Sequence, residues 1–244
     1  MIDRAPSSQS VALGGHVLTR GPDASSAPGT AQMSARRVAE RVCEAWLSDP
    51  RVRTTVVIPI RHGIRARFVT FDGLADQGEH FALCFGESEN LGAAPLVRVH
   101  SECITGDVFG SLRCDCGAQL DRSIEMLHVN GGILLYLRQE GRGLGLLTKL
   151  DSYRLQDQGL DTFDANRALL HPDDARTYVC GAEMLRALGV AAVRLITNNP
   201  DKVAQLEQAG IAIIERVSAG TFLTPFNHPY LLAKARRAGH SLDL

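Results

Sequence analysis

The chain has 244 residues, a formal net charge of −1 and 45% hydrophobic residues, and at roughly 100–200 residues per domain that length holds one full domain, or one domain with an appendage. Near-zero net charge argues against a general nucleic-acid coat or a binder of anionic membranes, both of which carry surplus Lys and Arg, while leaving room for a local basic pocket. No apolar run reaches the ~18 residues that span a bilayer, and Met1-Ile2-Asp3-Arg4 opens no signal-peptide core, so the expected location is the cytoplasm. In that reducing compartment the six cysteines point to metal or catalysis rather than to disulfides.

Residues 1–35 are rich in Ala, Gly, Ser and Pro with no sustained apolar period. Such a composition buries too little surface to offset its ordering entropy, and predicts a mostly mobile segment. At 32–47 the pattern changes: Val38, Val42 and Trp46 recur at i, i+4, i+8, a helical stripe stopped by Ser48-Asp49-Pro50. Short β-type runs follow at 55–60, 65–71, 80–85 and 96–100, separated by turn signals such as His62-Gly63 and Asp72-Gly73. The second half alternates. Leu120, Ile124 and Leu127 mark a helix, 132–137 reads as a buried strand, 143–156, 182–188 and 201–209 read as helices, and 193–197 and 211–217 as strands. Strands first and helix–strand alternation later predict an α+β fold: one mixed, partly parallel sheet flanked by helices, forming a catalytic domain at 53–244 after a flexible N-terminal extension at 1–52.

The strongest chemical signal is His100-Ser101-Glu102-Cys103 followed by Arg113-Cys114-Asp115-Cys116-Gly117. Three thiolates supply three of the four tetrahedral positions of a borderline-soft ion such as zinc and leave the fourth for water; the alternative is three unrelated reduced thiols. Cys43, Cys84 and Cys180 read as ordinary small buried residues. His-x-Glu also opens the zinc nucleobase-deaminase signature, but that signature continues with Pro-Cys-x-x-Cys, whereas the later pair here is Cys-x-Cys without the proline. Downstream, Arg138-Gln139-Glu140 runs from a strand into Gly141-Arg142-Gly143-Leu144-Gly145. Alternating glycines before a helix let backbone N–H groups approach an anion, and Arg142 adds a bidentate donor for phosphate; alone, the run is equally a tight strand–helix turn. It fits neither the Rossmann nor the Walker pattern. Thr197-Asn198-Asn199-Pro200-Asp201-Lys202 closes a strand and starts a helix, with Lys202 placed to meet a phosphate or to serve as part of a plain helix start.

Together these segments resemble GTP cyclohydrolase II, the zinc enzyme that opens the riboflavin pathway. The resemblance is carried by Arg98 to Cys103, Ser111 to Gly117, Arg138 to Arg142, Tyr153, Leu155 to Gly159, Asp161-Thr162, Ala165-Asn166 and Thr197 to Pro200, and by Asn227, Tyr230, Leu231, Lys234, Gly239 and His240 in the tail. It implies that Cys103, Cys114 and Cys116 hold one zinc ion per subunit, with magnesium on the triphosphate. Arg98, Val99, His100, Ser101, Glu102, Gln119, Glu140, Gly141, Arg142, Thr162, Thr197 and Lys202 match the GTP-contacting positions of the family. Glu140 suits the donor edge of guanine by its chemistry. Tyr153 matches the residue that assists imidazole ring opening, and Asp174 and Arg176 match the family's proposed proton acceptor and nucleophile. The implied activity is zinc-dependent hydrolysis of GTP to formate, pyrophosphate and a diaminopyrimidine ribonucleotide phosphate, by a homodimer with no nucleic-acid or membrane partner. Two other readings are a paralogue acting on another nucleotide or stopping at the formamide, and a non-catalytic zinc- and nucleotide-binding module.

Overall fold

The computed structural model describes residues 49–86, 92–160, 162–170, 172, 174–228, 230–232 and 235; the segment 1–35 expected to be mobile and the helix expected at 32–47 lie outside the described residues. Seven strands form one mixed sheet: β1 (Arg51–Pro59), β2 (Arg65–Asp72), β3 (Phe81–Phe85), β4 (Leu96–Ser101), β5 (Gly132–Leu137), β6 (Ala192–Ile196) and β7 (Ala212–Val217). Their spatial order is β1-β2-β3-β5-β4-β6-β7. β1, β2, β3 and β5 pair antiparallel, and β5, β4, β6 and β7 pair parallel. The helices are the short α1 (Ile104–Asp107), α2 (Cys116–Asn130), α3 (Leu146–Gln156), α4 (Thr162–Ala168), α5 (Val179–Ala187) and α6 (Pro200–Gln208).

Helices cover both faces of β4 and β5: β5 is a nearly continuous apolar run, whereas β4 sets the buried Arg98 and His100 among Leu96, Val97 and Val99. On one face Leu120, Ile124 and Leu127 of α2 pack on Phe85, Leu96, Leu134 and Ile196. On the other, Ala182, Met184 and Leu185 of α5 and Leu206 of α6 pack on Val97, Val99, Leu135 and Leu195. Side chains alternate along a strand, so Arg98 and His100 share the face of Leu96 and Val99 faces away from them. β5 begins hard against β4: a Cβ at Gly132 would lie 2.3 Å from the Leu96 carbonyl oxygen, and the φ there is +149°. Only glycine fits that contact.

The chain leaves β4 for β5 on one side, and the crossover after β5 passes β4 to reach β6 on the other. Loops that depart in opposite directions from the carboxyl ends of neighbouring parallel strands leave a crevice between them, the usual ligand position in such sheets. Three segments meet there: Glu102-Cys103, the run 138–145, and Thr197 to Lys202.

The expected strands are all present, six of the seven within one residue at either end. β1 differs most, since it begins at Arg51, two residues before the expected start of the folded domain. α1 and α4 have no counterpart among the expected elements; at four and seven residues they are too short to show a helical apolar period.

Candidate active site

The three-cysteine turn starts where β4 runs out. Cys103 follows it, α1 makes one turn, and the chain returns through Cys114 to Cys116 at the first turn of α2. The Cys103 and Cys114 sulfurs lie 3.6 Å apart, and all three sulfurs lie within 4.8 Å of one another. A tetrahedral zinc with Zn–S near 2.3 Å sets its sulfurs about 3.8 Å apart, so the trio fits such an ion. Two glycines allow the approach: a Cβ at Gly106 would lie 3.0 Å from the Cys114 sulfur, and one at Gly117 would lie 2.4 Å from the Gly106 carbonyl oxygen. Hydrogen bonds from the Cys114 and Cys116 thiols hold the Cys103 thiol well below its ordinary range, with the nearby Lys149 cation adding to the effect. The two donors move the other way, Cys114 pushed up to about 11 by its bond to Cys103. Cys84 and Cys180 are buried away from this cluster, and Cys43 lies outside the described residues.

A second trio, Asp76, His80 and Cys180, brings its donor atoms equally close, but its hydrogens argue against a metal. His80 Nδ1 accepts the Arg138 backbone N–H at 2.9 Å. Nε2 therefore carries the ring hydrogen, and it faces Asp76 Oδ1 at 2.9 Å.

Beneath the three-cysteine turn lies Asp107, which no sequence motif marks. Its side chain is buried, and it accepts His100 Nε2–H at 3.0 Å, the Cys103 backbone N–H at 3.0 Å and the Tyr136 hydroxyl at 2.8 Å. A carboxylate only accepts, so His100 Nε2 bears its hydrogen. Burial lowers the His100 pKa against the pull of Asp107, which keeps the ring neutral in that tautomer.

The cleft above is lined by every sequence-predicted site residue except Val99 and Thr162. Val99 stands apart from these: its side chain is wholly buried in the core, while its carbonyl oxygen accepts Lys202 Nζ at 2.7 Å. Thr162 heads α4, with its side chain outside the described ones. At the floor, Arg98 is 6% exposed and donates to the Ile196 carbonyl at 3.1 Å and to Gln119 Oε1 at 2.8 Å; its Nε has no protein partner. Asp174 grips Arg176 through both Nε and Nη2, and also accepts the Arg176 backbone N–H at 3.0 Å. Burial works against the charge of Arg176, but these bonds more than restore it and raise its pKa. The glycine loop docks against the same segment: the Arg142 carbonyl accepts the Ala175 N–H at 3.0 Å, and a Cβ at Gly143 would lie 3.2 Å from the Ala175 carbonyl carbon. At the start of α6, Asn199 caps the helix by accepting the Asp201 N–H at 2.9 Å, and Thr197 Oγ1 accepts the Asn199 N–H at 3.0 Å.

Tyr153 extends from α3 into the cleft. Burial pushes its hydroxyl up to about 12, and the Arg113 guanidinium lies 4.8 Å from its ring centroid. Glu140 is already engaged, accepting the Ile104 N–H at 2.6 Å, the Gly141 N–H at 2.6 Å and Lys149 Nζ at 2.9 Å. A guanine edge reaching it would compete with Lys149. Lys149, Ser152 and Gln156 also line the cleft. They stand at i−4, i−1 and i+3 from Tyr153, so the helical period around that tyrosine was the signal that would have found them.

The Asp107 geometry gives a direct expectation. Asp107→Asn removes one of three charge-assisted acceptor contacts and turns an NH₂ group toward donors, so the variant should lose about 2–3 kcal/mol of stability in urea unfolding; unchanged stability would contradict the role given to this carboxylate.

The family model for GTP cyclohydrolase II matches residues 51–218. "GTP cyclohydrolase-2" of Psychromonas ingrahamii is 46% identical over 194 residues, 79% of this chain and 97% of that protein. "GTP cyclohydrolase-2" of Vibrio cholerae is 46% identical over 198 residues, 81% of this chain and 100% of that protein. "Riboflavin biosynthesis protein RibBA" of Synechocystis is 49% identical over 178 residues, 72% of this chain and 32% of that longer protein. With the three-cysteine turn and the cation-lined cleft at the carboxyl ends of the parallel strands, these matches place the chain in the GTP cyclohydrolase II family of enzymes.

Proposed function

We propose that the chain hydrolyses GTP in the first step of riboflavin biosynthesis, opening the guanine imidazole ring and releasing formate and pyrophosphate to leave a diaminopyrimidine ribonucleotide phosphate. The observation that carries this reading is that a three-cysteine cluster, a tyrosine and a set of cations open onto one cleft. Cys103, Cys114 and Cys116 would hold zinc, which when bound supplies a Lewis acid that activates water near neutral pH. Tyr153 keeps its proton through the neutral range and is placed to donate it to the ring nitrogen as the C8–N bond breaks. Arg98, Arg142, Arg176 and Lys202 surround the triphosphate, which enters with magnesium, and Gln119 holds Arg98 in place. The backbone of the glycine loop adds N–H donors for phosphate oxygens. His100, Ser101, Glu102 and Thr197 line the remaining wall, and Thr162 joins them by the family resemblance.

Arg176 is read as a charge stabiliser rather than a nucleophile. A guanidinium held by two bonds to Asp174, with its pKa raised, has no lone pair to attack phosphorus. Water is then the attacker at the α phosphate, with Asp174 orienting the guanidinium. Homodimer formation follows from the family resemblance and is supported by β1, an edge strand whose nine residues are all exposed, the kind of edge that a second copy covers. A cytoplasmic location fits the same reading; no helix among the described residues is long and apolar enough to cross a membrane.

Incubation of the purified chain with GTP, zinc and magnesium should release formate and pyrophosphate in equal amounts, and Cys114→Ser should lose both its zinc and its formate release. Absence of GTP turnover would overturn the reading, and unchanged formate release by Cys114→Ser would overturn the metal assignment. With GTP labelled at the α phosphate, the protein should retain no label after a denaturing alkaline quench during turnover; label bound to the chain would restore the covalent role of Arg176.

A further inference from the structure

Two side chains of the site bond to the protein rather than to the space above it. Lys149 Nζ donates to the Cys103 sulfur at 3.2 Å and to Glu140 Oε1 at 2.9 Å. Glu140 spends its remaining contacts on backbone, accepting the Ile104 N–H through Oε2 and the Gly141 N–H through Oε1, both at 2.6 Å. Both side chains are about nine-tenths buried, at 11% and 10% exposure. They join three separate pieces of chain: the turn that carries Cys103, the glycine loop and α3.

The two segments that Glu140 joins do not hold themselves in place. Gly141 and Arg142 both take left-handed backbone, with φ of 60° and 59°, and Arg142 is not a glycine, so the loop does not favour its own conformation. Ile104 sits at the start of a four-residue helix, too short to hold itself in place. At the sulfur end, three thiolates around a divalent ion leave one net negative charge in a buried place, and an ammonium against one sulfur offsets it.

We propose that Lys149 and Glu140 are a positioning pair that couples the metal-ligand turn to the phosphate-facing glycine loop, Lys149 through the Cys103 sulfur and Glu140 through the backbone of both segments. The pair rests on the reading of Cys103, Cys114 and Cys116 as metal ligands and of the cleft as the GTP site. It assigns Glu140 to the protein rather than to guanine, and gives Lys149 a role toward the ligand set rather than the triphosphate. A cationic N–H on a ligating sulfur stabilises the sulfur lone pair, so its loss moves sulfur-to-metal charge transfer to lower energy.

The test uses full-length protein loaded with cobalt(II) for spectroscopy and with zinc(II) for affinity, the latter by competition with a chromogenic chelator. Lys149→Met should move the sulfur-to-cobalt band to longer wavelength and weaken zinc binding by about 10–100-fold, the usual cost of losing an outer-shell partner, while Lys149→Arg should recover most of both. Glu140→Gln should raise KM for GTP, and the double variant should lose little more zinc affinity than Lys149→Met alone, because residues acting as a unit are not additive. Lys149→Gln repeats the measurement should the Met variant fold poorly by circular dichroism. A Lys149→Met or Lys149→Gln protein with an unmoved band and unmoved zinc affinity would overturn the proposal, as would additive losses in the double variant. Failure of the unmutated chain to bind either metal would overturn the underlying metal assignment, and metal binding without GTP turnover would overturn the functional reading while leaving the sulfur contact tested on its own.

Discussion

A buried carboxylate must be met by donors from every side, and Asp107 meets three that belong to different parts of the fold. His100 comes from β4, Tyr136 from β5, and the Cys103 N–H from the three-cysteine turn. Because β4 and β5 are parallel neighbours, their carboxyl ends already lie side by side. The carboxylate then ties the turn that follows one strand to the side chain of the other. The position of Cys103, and through it of the whole sulfur cluster, depends on this one acceptor, while Gly106 and Gly117 supply the space in which the cluster closes.

The chain has a net charge of −1, yet the cleft collects Arg98, Arg113, Arg142, Lys149, Arg176 and Lys202. Four of them differ in what they touch. Lys149 faces the sulfurs, whereas Arg98, Arg176 and Lys202 are held by neutral carbonyls, an amide or one carboxylate along the wall where the strands end. A ligand that carries several phosphate charges matches such a cation-lined cleft. Fixed hydrogen bonds also limit reorganisation of these groups when charge develops on a substrate, which is the main way a protein site stabilises a transition state.

Much of this was legible in the sequence, for reasons specific to each element. β5 was readable because it is buried on both faces and so runs as an apolar stretch, and the antiparallel strands because turn signals separate them. The cysteines were readable because metal spacing is a local pattern. Asp107 was not: its partners lie 7, 4 and 29 residues away, and nothing local marks an aspartate whose work is done by tertiary contacts. Val99 shows the opposite failure. It sits between Arg98 and His100, but strand alternation turns its side chain to the core, so adjacency in a motif did not mean adjacency in the cleft. Glu140 was legible as a site residue, yet the donors it serves come from Ile104, Gly141 and Lys149, and only the fold brings those three together.

The account centres on Cys103, Cys114 and Cys116 holding one metal ion with a fourth position left open for a water. X-ray absorption at the zinc edge of the purified, zinc-loaded protein tests this most directly. The account predicts a shell of three sulfur atoms at about 2.3 Å with one lighter oxygen or nitrogen scatterer near 2.0–2.2 Å. A shell of four sulfurs, or one with no sulfur, would contradict it.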